Sequence, residues 1–474
     1  MAFDWWDGMR VTAADIVDAV KGRQLSGAPD TEVSGFSIDS RTLEPGDLYI
    51  AIQGQRLDGH EFVDDALDRG ACGVLIGRPM PGLDPARLGH RLLIVAPDTT
   101  YALQRLARWV RRKSGARVVG ITGSAGKTTT KEMAAAFLSL RHRVMRSSGN
   151  LNNHIGLPLS LLELRRGAEV AVVELGMNHV GEISRLVAIA EPDVRVWTNV
   201  AEVHIEFFGS LDAIADAKAE VLENARDTTV LVANADDPRV MVRTEEFPGL
   251  RVTFGASDGA TVQALDIEDA GLDGTRALVR TNDGDAHLLV PLLGRGNMAN
   301  ALAAIGVGLQ FGVPLADMVE RAKTLRPALH RGEVMRLPGG VTVVDDAYNS
   351  NPRAVQGVLK VIAAERGFTR RVAVLGEMLE LGEQSVALHE TCGRVAAASG
   401  LSLLITVGGE PARALGRASL DAGLPATQVC HAETSEAAAD LVAAAVRAGD
   451  LVLVKGSRGI RTERVVDRLA AEFG

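Results

Sequence analysis

The stretch Gly120-Ile121-Thr122-Gly123-Ser124-Ala125-Gly126-Lys127-Thr128-Thr129-Thr130 follows the β-branched run RVVGI and opens the helical pattern KTTTKEMAAAFLSL. A strand that ends in a glycine turn and feeds a helix belongs in a parallel sheet covered by helices, because the helix must cross back over the sheet before the next strand starts. The glycines let backbone N–H groups wrap anionic oxygens, the helix N-terminus adds partial positive charge, and Lys127 adds a full one. Gly123, Ser124, Ala125, Gly126, Lys127, Thr128 and Thr129 are therefore expected to hold the phosphates of a nucleotide, with the Thr128 hydroxyl able to ligate magnesium. The usual phosphate loop carries glycine five residues before its Gly-Lys pair, where Ile121 stands here. A tight strand-to-helix turn with a chance Gly-Lys-Thr is the competing reading, and the strand–turn–helix context disfavours it.

The alternation continues along the chain. VAVVEL, VRVWTN and TVLVAN extend one series of strands separated by helical stretches, and VTVVDDA, RVAVLGE, LLITVGG and LVLVKGS form a second. A chain of 474 residues exceeds what one hydrophobic core usually organises. The expected fold is α/β in three domains: a small α/β unit over 1–97, a central phosphate-loop parallel-sheet unit over 98–324, and a Rossmann-like α/β unit over 325–474. The first boundary is placed at Ala96-Pro97-Asp98, where an Ala/Leu/Arg-rich helix pattern begins. Residues 251–293, with Gly- and Asp-containing turns between short apolar runs, read as an antiparallel excursion. Ligands of open α/β sheets sit beyond the carboxyl ends of the strands, where Gly123, Glu174, Asn199, Asp345 and Lys455 fall.

A net charge of -9 offers no general field for nucleic acid. Cys72, Cys392 and Cys430 are too scattered for a disulfide framework or a zinc site. The opening MAFDWWDGMR carries Asp4 and Asp7 and leads into no apolar leader, and no apolar run is long enough to insert in a membrane, so a cytoplasmic location is expected.

Three further residues could carry chemistry. Glu174 ends VAVVEL beside a turn and is either a hard-oxygen magnesium ligand or a surface carboxylate capping the next helix. His204 follows the strand VRVWTN and is either a ligand or base, or a structural histidine. Lys218, in the helical pattern DAIADAKAEVLEN, is either a solvated lysine paired with Asp216 and Glu220 or an amine aimed at an acyl phosphate or a metal.

Taken in order, these motifs resemble the Mur ligase family over essentially the whole chain. Ser37-Ile38-Asp39-Ser40-Arg41, Gly46-Asp47-Leu48-Tyr49 and Asp58-Gly59-His60 are similar to the segment that holds a UDP-sugar substrate. Gly123 to Thr130, Gly149-Asn150-Leu151-Asn152-Asn153, Glu174-Leu175-Gly176-Met177-Asn178, His204 and Ala217-Lys218 follow. Asp345-Asp346-Ala347-Tyr348-Asn349-Ser350-Asn351-Pro352 and Lys455-Gly456-Ser457-Arg458 complete the series. Gly296 is a departure, standing before Asn297 where the family usually has histidine.

The resemblance implies a monomeric ATP-dependent ligase that activates a carboxylate as an acyl phosphate. The Glu-Leu-Gly-Met-Asn and Asp-Asp-Ala-Tyr-Asn segments resemble the branch that joins D-alanyl-D-alanine to UDP-N-acetylmuramoyl-tripeptide. It further implies that Thr128 and Glu174 ligate magnesium, that His204 helps hold a second magnesium ion, and that Lys218 is carbamylated between the metal sites. Asn297, Arg331, Asp345 and Asn349 would reach ATP, and Ser40, Arg41, Asn152 and Asn153 the nucleotide-sugar substrate. Lys127, Lys218 and His204 are the expected catalytic residues. Another Mur-type ligase, adding the third amino acid or polyglutamate, and a nucleotide-driven switch protein are the alternatives.

Overall fold

A computed structural model describes residues 8–54, 56–202 and 205–474. Its strands form three sheets of five, nine and six strands. In the first, the spatial order is Arg23–Ser26, Leu92–Val95, Gly73–Ile76, Asp47–Ile50 and Gly35–Ser37, with only the first pair antiparallel. In the last, the order is Glu333–Arg336, Thr342–Asp346, Asp450–Lys455, Arg370–Gly376, Leu403–Val407 and Val429–Ala432, again with one antiparallel edge.

The nine-stranded sheet carries the glycine turn. Strand Arg117–Thr122 lies between Val170–Glu174 and Val194–Trp197, parallel to both. The chain first builds outward on one side through Val144–Arg146 and Val170–Glu174, then crosses to the other through Val194–Trp197 and Val230–Asn234. That reversal is the switch point at which open sheets leave a crevice. The segments following Thr122, Glu174 and Trp197 therefore emerge side by side.

The continuous apolar runs are explained by burial on both faces. Successive side chains of a strand point to opposite faces. Val118, Ala171, Val173, Leu231 and Ala233 enter one core, and Val119, Ile121, Val170, Val172, Val230 and Val232 enter the other.

Helix Thr99–Ser114 opens on Asp98, whose carboxylate accepts the Tyr101 N–H at 2.8 Å, and ends at Gly115 in the left-handed region. Its buried face of Leu103, Leu106, Ala107 and Val110 joins Leu48 and Ile50 of the first sheet, with Ile16 of helix Ala13–Val20, to Ala171 of the second, with Leu157 and Leu161 of helix Gly156–Leu162. One apolar core thus runs across residues 97 and 98. Among the described residues, no helix is long and apolar enough to cross a membrane.

The antiparallel reading of 251–293 needs correction at its start. Strand Leu250–Gly255 continues the parallel ladder beside Val230–Asn234, and the direction reverses only between Val262–Asp269 and Thr275–Thr281. The Gly- and Asp-containing loop at 256–261 looks like a hairpin turn but is a parallel-strand connection, tied down where Asp236 accepts the Ala256 and Ser257 N–H groups. Hairpins join Val262–Asp269 to Thr275–Thr281 and Thr275–Thr281 to Gly284–Val290. Alternate residues of Thr275–Thr281 are exposed, a pattern suited to an antiparallel sheet with one wet face.

Truncating Leu157 to alanine should cost about 2–5 kcal/mol in urea unfolding. Because its core spans two sheets, hydrogen exchange should accelerate both in Asp47–Ile50 and in Val170–Glu174.

Candidate active site

The glycine turn is held from below by the end of the neighbouring strand. Asn199 clamps Ala125 from both sides: its Oδ1 accepts the Ala125 N–H at 2.9 Å and its Nδ2 donates to the Ala125 carbonyl at 3.1 Å. Thr198 Oγ1 donates to the same carbonyl at 2.7 Å. The Ser124 hydroxyl donates to Ala201 O and accepts from Ala201 N, and Ser124 N donates to Asn199 O at 3.0 Å. Ser124 is buried by this role, whereas Ala125 stands exposed at the tip.

Both glycines are required. Gly123 has φ +144, and a Cβ there would overlap Thr198 Oγ1; Gly126 has φ +84, and a Cβ there would overlap Asn300 Oδ1. Asn300 was not anticipated from the sequence. It accepts the Thr130 hydroxyl at 3.3 Å and donates to Asn297 Oδ1 at 3.0 Å, while Asn297 Nδ2 donates to Leu293 O at 2.9 Å. Asn297 therefore supports the turn through Asn300. Gly296, with open space around it, simply begins the helix Gly296–Gln310.

Lys127 folds over the turn, its Nζ donating to Gly123 O at 2.6 Å. The residue keeps some surface, but its ammonium lies inside, and burial lowers its pKa; Arg331 lowers it further and Glu174 opposes the shift. Thr128 and Thr129 are half-buried in the first helical turn.

Lys218 is not the solvated lysine that its helical neighbours suggest. It is 3% exposed, and its Nζ has no hydrogen bond or ion pair with another described residue. Asp216 pairs with Arg243 instead, and Glu220 accepts the Gly181 and Ser184 N–H groups. Burial, and secondarily the charge of Lys127, hold the Lys218 amine well below its usual range.

Glu174 is buried as well, and it caps no helix. Its Oε1 accepts no hydrogen bond, although Lys131 Nζ lies 3.2 Å away as an ion-pair partner. A buried carboxylate oxygen with free lone pairs fits a hard cation. Lys131, also missed in the sequence, is 1% exposed and donates to Ser147 O at 2.7 Å. Four residues after Lys127 on one helix, it lies one turn deeper, a placement legible only once the helix is fixed.

Asn152 packs against the turn that follows Glu174, where its carbonyl accepts the Gly176 N–H at 2.9 Å and any Cβ at Gly176 would press on its carboxamide. The Asn153 side chain is spent on the Ile155 and Gly156 N–H groups at the start of a helix.

From the third sheet, Arg331 stacks 4.1 Å from the centre of the Tyr348 ring, and its charge reaches Lys127. Asp345 is buried, its Oδ2 2.7 Å from His330 Nδ1, and burial raises its carboxyl pKa despite that partner. The Asn349 side chain accepts the Ser350 N–H, and its carbonyl accepts from Lys455 Nζ, which also binds Asp346 at 2.6 Å.

Ser40 and Arg41 belong to the first sheet's turns. Ser40 is buried and bonded to Asp65. Arg41 is exposed and doubles back onto Asp39, which also accepts its N–H, forming the Asx turn that an Asp-Ser-Arg sequence allows. His60 is used internally, between Asp58 and the Gly77 N–H. His204 lies outside the described residues, as do Asp4 and Asp7. Among the described residues, no cluster of three or more His, Cys, Asp or Glu side chains is arranged to hold a metal.

Three family models match in sequence: Mur ligase family, catalytic domain, at residues 32–108; Mur ligase middle domain at 121–308; and Mur ligase, glutamate ligase domain, at 330–458. The UDP-N-acetylmuramoyl-tripeptide--D-alanyl-D-alanine ligase of Bacillus subtilis is 33% identical over 97% of this chain and 98% of its own length. The chain belongs to the Mur ligase family. Among solved Mur ligases, MurF from Acinetobacter baumannii superposes with a TM-score of 0.86 at 30% identity, covering 98% of this chain and 99% of that one. MurF ligase from Thermotoga maritima in complex with ADP gives 0.79 at 30% identity, over 93% and 97%.

Replacing Gly123 by alanine should leave the fold intact yet weaken ADP binding at least tenfold in calorimetry, because the turn must open to clear Thr198.

Proposed function

We propose that this Mur ligase joins D-alanyl-D-alanine to UDP-N-acetylmuramoyl-tripeptide at the expense of ATP, giving the UDP-muramoyl-pentapeptide, ADP and phosphate. The observation that carries this reading is the end-to-end similarity to ligases of that name, at 33% identity over 97% of the chain, with the glycine turn built as a phosphate cradle.

A peptide carboxylate is a poor acyl donor at neutral pH, and ATP repels it. The chain's answer is to concentrate positive charge at the turn. Lys127, the N–H groups of the turn and the start of helix Lys127–Leu138 spread the charge of the transferring phosphoryl group. The carboxylate attacks the γ-phosphorus, releasing ADP and leaving an acyl phosphate. The free amine of the dipeptide then attacks the acyl carbon, loses a proton and expels inorganic phosphate.

Thr128 and Glu174 would hold one magnesium ion and His204 would help hold a second, together supplying charge neutralisation at the phosphates. Lys218 would serve these sites as a carbamate, formed from its uncharged amine and carbon dioxide with loss of a proton. Arg331, Asp345, Asn349 and Asn297 would complete the nucleotide site. Ser40, Arg41, Asn152 and Asn153 would serve the UDP substrate. In this reading the units 1–97, 98–324 and 325–474 bring in the nucleotide-sugar, ATP and the dipeptide respectively, in a monomer working in the cytoplasm.

Phosphate release measured with UDP-N-acetylmuramoyl-tripeptide and ATP should require D-alanyl-D-alanine and be unsupported by single amino acids. Turnover with a single amino acid and none with the dipeptide would overturn the assignment. Lys127→Ala should fold normally and lose at least a hundredfold in kcat; near-normal turnover would remove the cradle from the mechanism. Lys218→Ala should be inactive and partly regain activity with bicarbonate and a small carboxylic acid, and full activity without them would eliminate the carbamate.

A further inference from the structure

Lys131 is sealed inside the protein, where a lysine is almost never found without a partner. Three oxygens surround its Nζ: Ser147 O at 2.7 Å, Glu174 Oε1 at 3.2 Å and Glu132 Oε1 at 3.3 Å. An ammonium has three protons to set against them. The oxygens come from three places: helix Lys127–Leu138 itself, the end of strand Val170–Glu174, and the residue that follows strand Val144–Arg146.

These partners are not equivalent. Glu132 is partly exposed and has a second cation, with Arg146 Nε 3.1 Å from its Oε2. Glu174 is buried, and no described residue donates a hydrogen bond to its Oε1. Lys131 lies against it, and the charge of Lys127 bears on it as well. A buried carboxylate suited to a hard cation is an isolated charge whenever that cation is absent, and such charges are strongly disfavoured. A fixed ammonium removes the difficulty, yet the same ammonium repels a divalent ion approaching the carboxylate. Lys131 is built for both states, because Nζ keeps Ser147 O and Glu132 as acceptors when Glu174 turns to another cation.

We infer that Lys131 is a stand-in for the divalent cation at Glu174: it neutralises the carboxylate when no metal is bound, and its charge keeps the free ion from binding there on its own. The inference rests on the reading of Glu174 as a magnesium ligand. The phosphates of a nucleotide bring the negative charge that offsets Lys131, so the site takes up its cation together with the nucleotide and discriminates against the bare ion.

The test is titration of the full-length protein with manganese(II) alone, without nucleotide, the free ion being followed by electron paramagnetic resonance. Lys131→Gln removes the charge but keeps a donor for Ser147 O, whereas Lys131→Met removes both. Each variant should bind manganese(II) about tenfold more tightly than the wild type, and the gain should disappear when either is combined with Glu174→Gln. Unchanged or weaker binding in Lys131→Gln, or a gain that survives Glu174→Gln, would overturn the inference. A gain in Lys131→Met but not in Lys131→Gln would assign the effect to the Ser147 contact and overturn it too; should Lys131→Met fail to fold, Lys131→Gln decides. Failure of the underlying reading is recognised separately: Glu174→Gln would then take up manganese(II) with ADP as the wild type does, and the inference would fall with it.

Discussion

The clamp of Asn199 and Thr198 on Ala125 is the interaction on which the site depends. A glycine turn by itself is soft, because glycine gains its freedom at an entropic cost on ordering. Here three hydrogen bonds from the adjacent strand end fix the one exposed residue of the turn. Ser124 is locked against Ala201 from beneath. A cradle fixed before its ligand arrives loses little entropy on binding, and its N–H dipoles need no reorganisation when charge moves during phosphoryl transfer.

Around this fixed turn the charges are arranged by burial. Lys127, Lys131 and Lys218 bring three amines to a region whose buried carboxylate is Glu174. Excess cation without ligand is costly, and the cost shows as lowered amine pKa values at Lys127 and Lys218, each caused first by desolvation. Lys131 lies against Glu174 and donates to the Ser147 carbonyl. The arrangement suits a site that receives a polyanion.

How much of this could be read from the residues alone depended on how local the signal was. The turn at 123–130 is legible because its glycines, lysine and threonines are contiguous and sit between a strand and a helix. The parallel sheets are legible because two-sided burial leaves unbroken runs of Val, Ile and Ala, such as Val170–Glu174. Weakly apolar edge strands, Glu333–Arg336 and Val429–Ala432, carry no such run. Loop 256–261 has hairpin composition but connects parallel strands, since Gly and Asp report a turn and not its direction. Asn300 and Lys131 were invisible because their partners are remote: Asn300 meets a turn 174 positions earlier at Gly126, and Lys131 meets Glu174 on another strand. Lys218 showed the reverse failure. Flanking acids suggested an exposed helix face, but the fold turned that face inward and gave the acids other partners.

The apolar core shared by the first two sheets has a mechanical consequence. Side chains from Ile16 to Val240 interlock as one cluster, so residues on either side of Pro97 form a single stiff block. The third sheet builds its own two cores, meeting the rest through a few contacts such as Glu365 on the Leu272 N–H and Arg336 on Asp273. The chain passes from one block to the other near residues 325–332, so Arg331, whose charge bears on Lys127, reaches the cradle from a body with cores of its own and joins two separately packed halves at the phosphate end of the site.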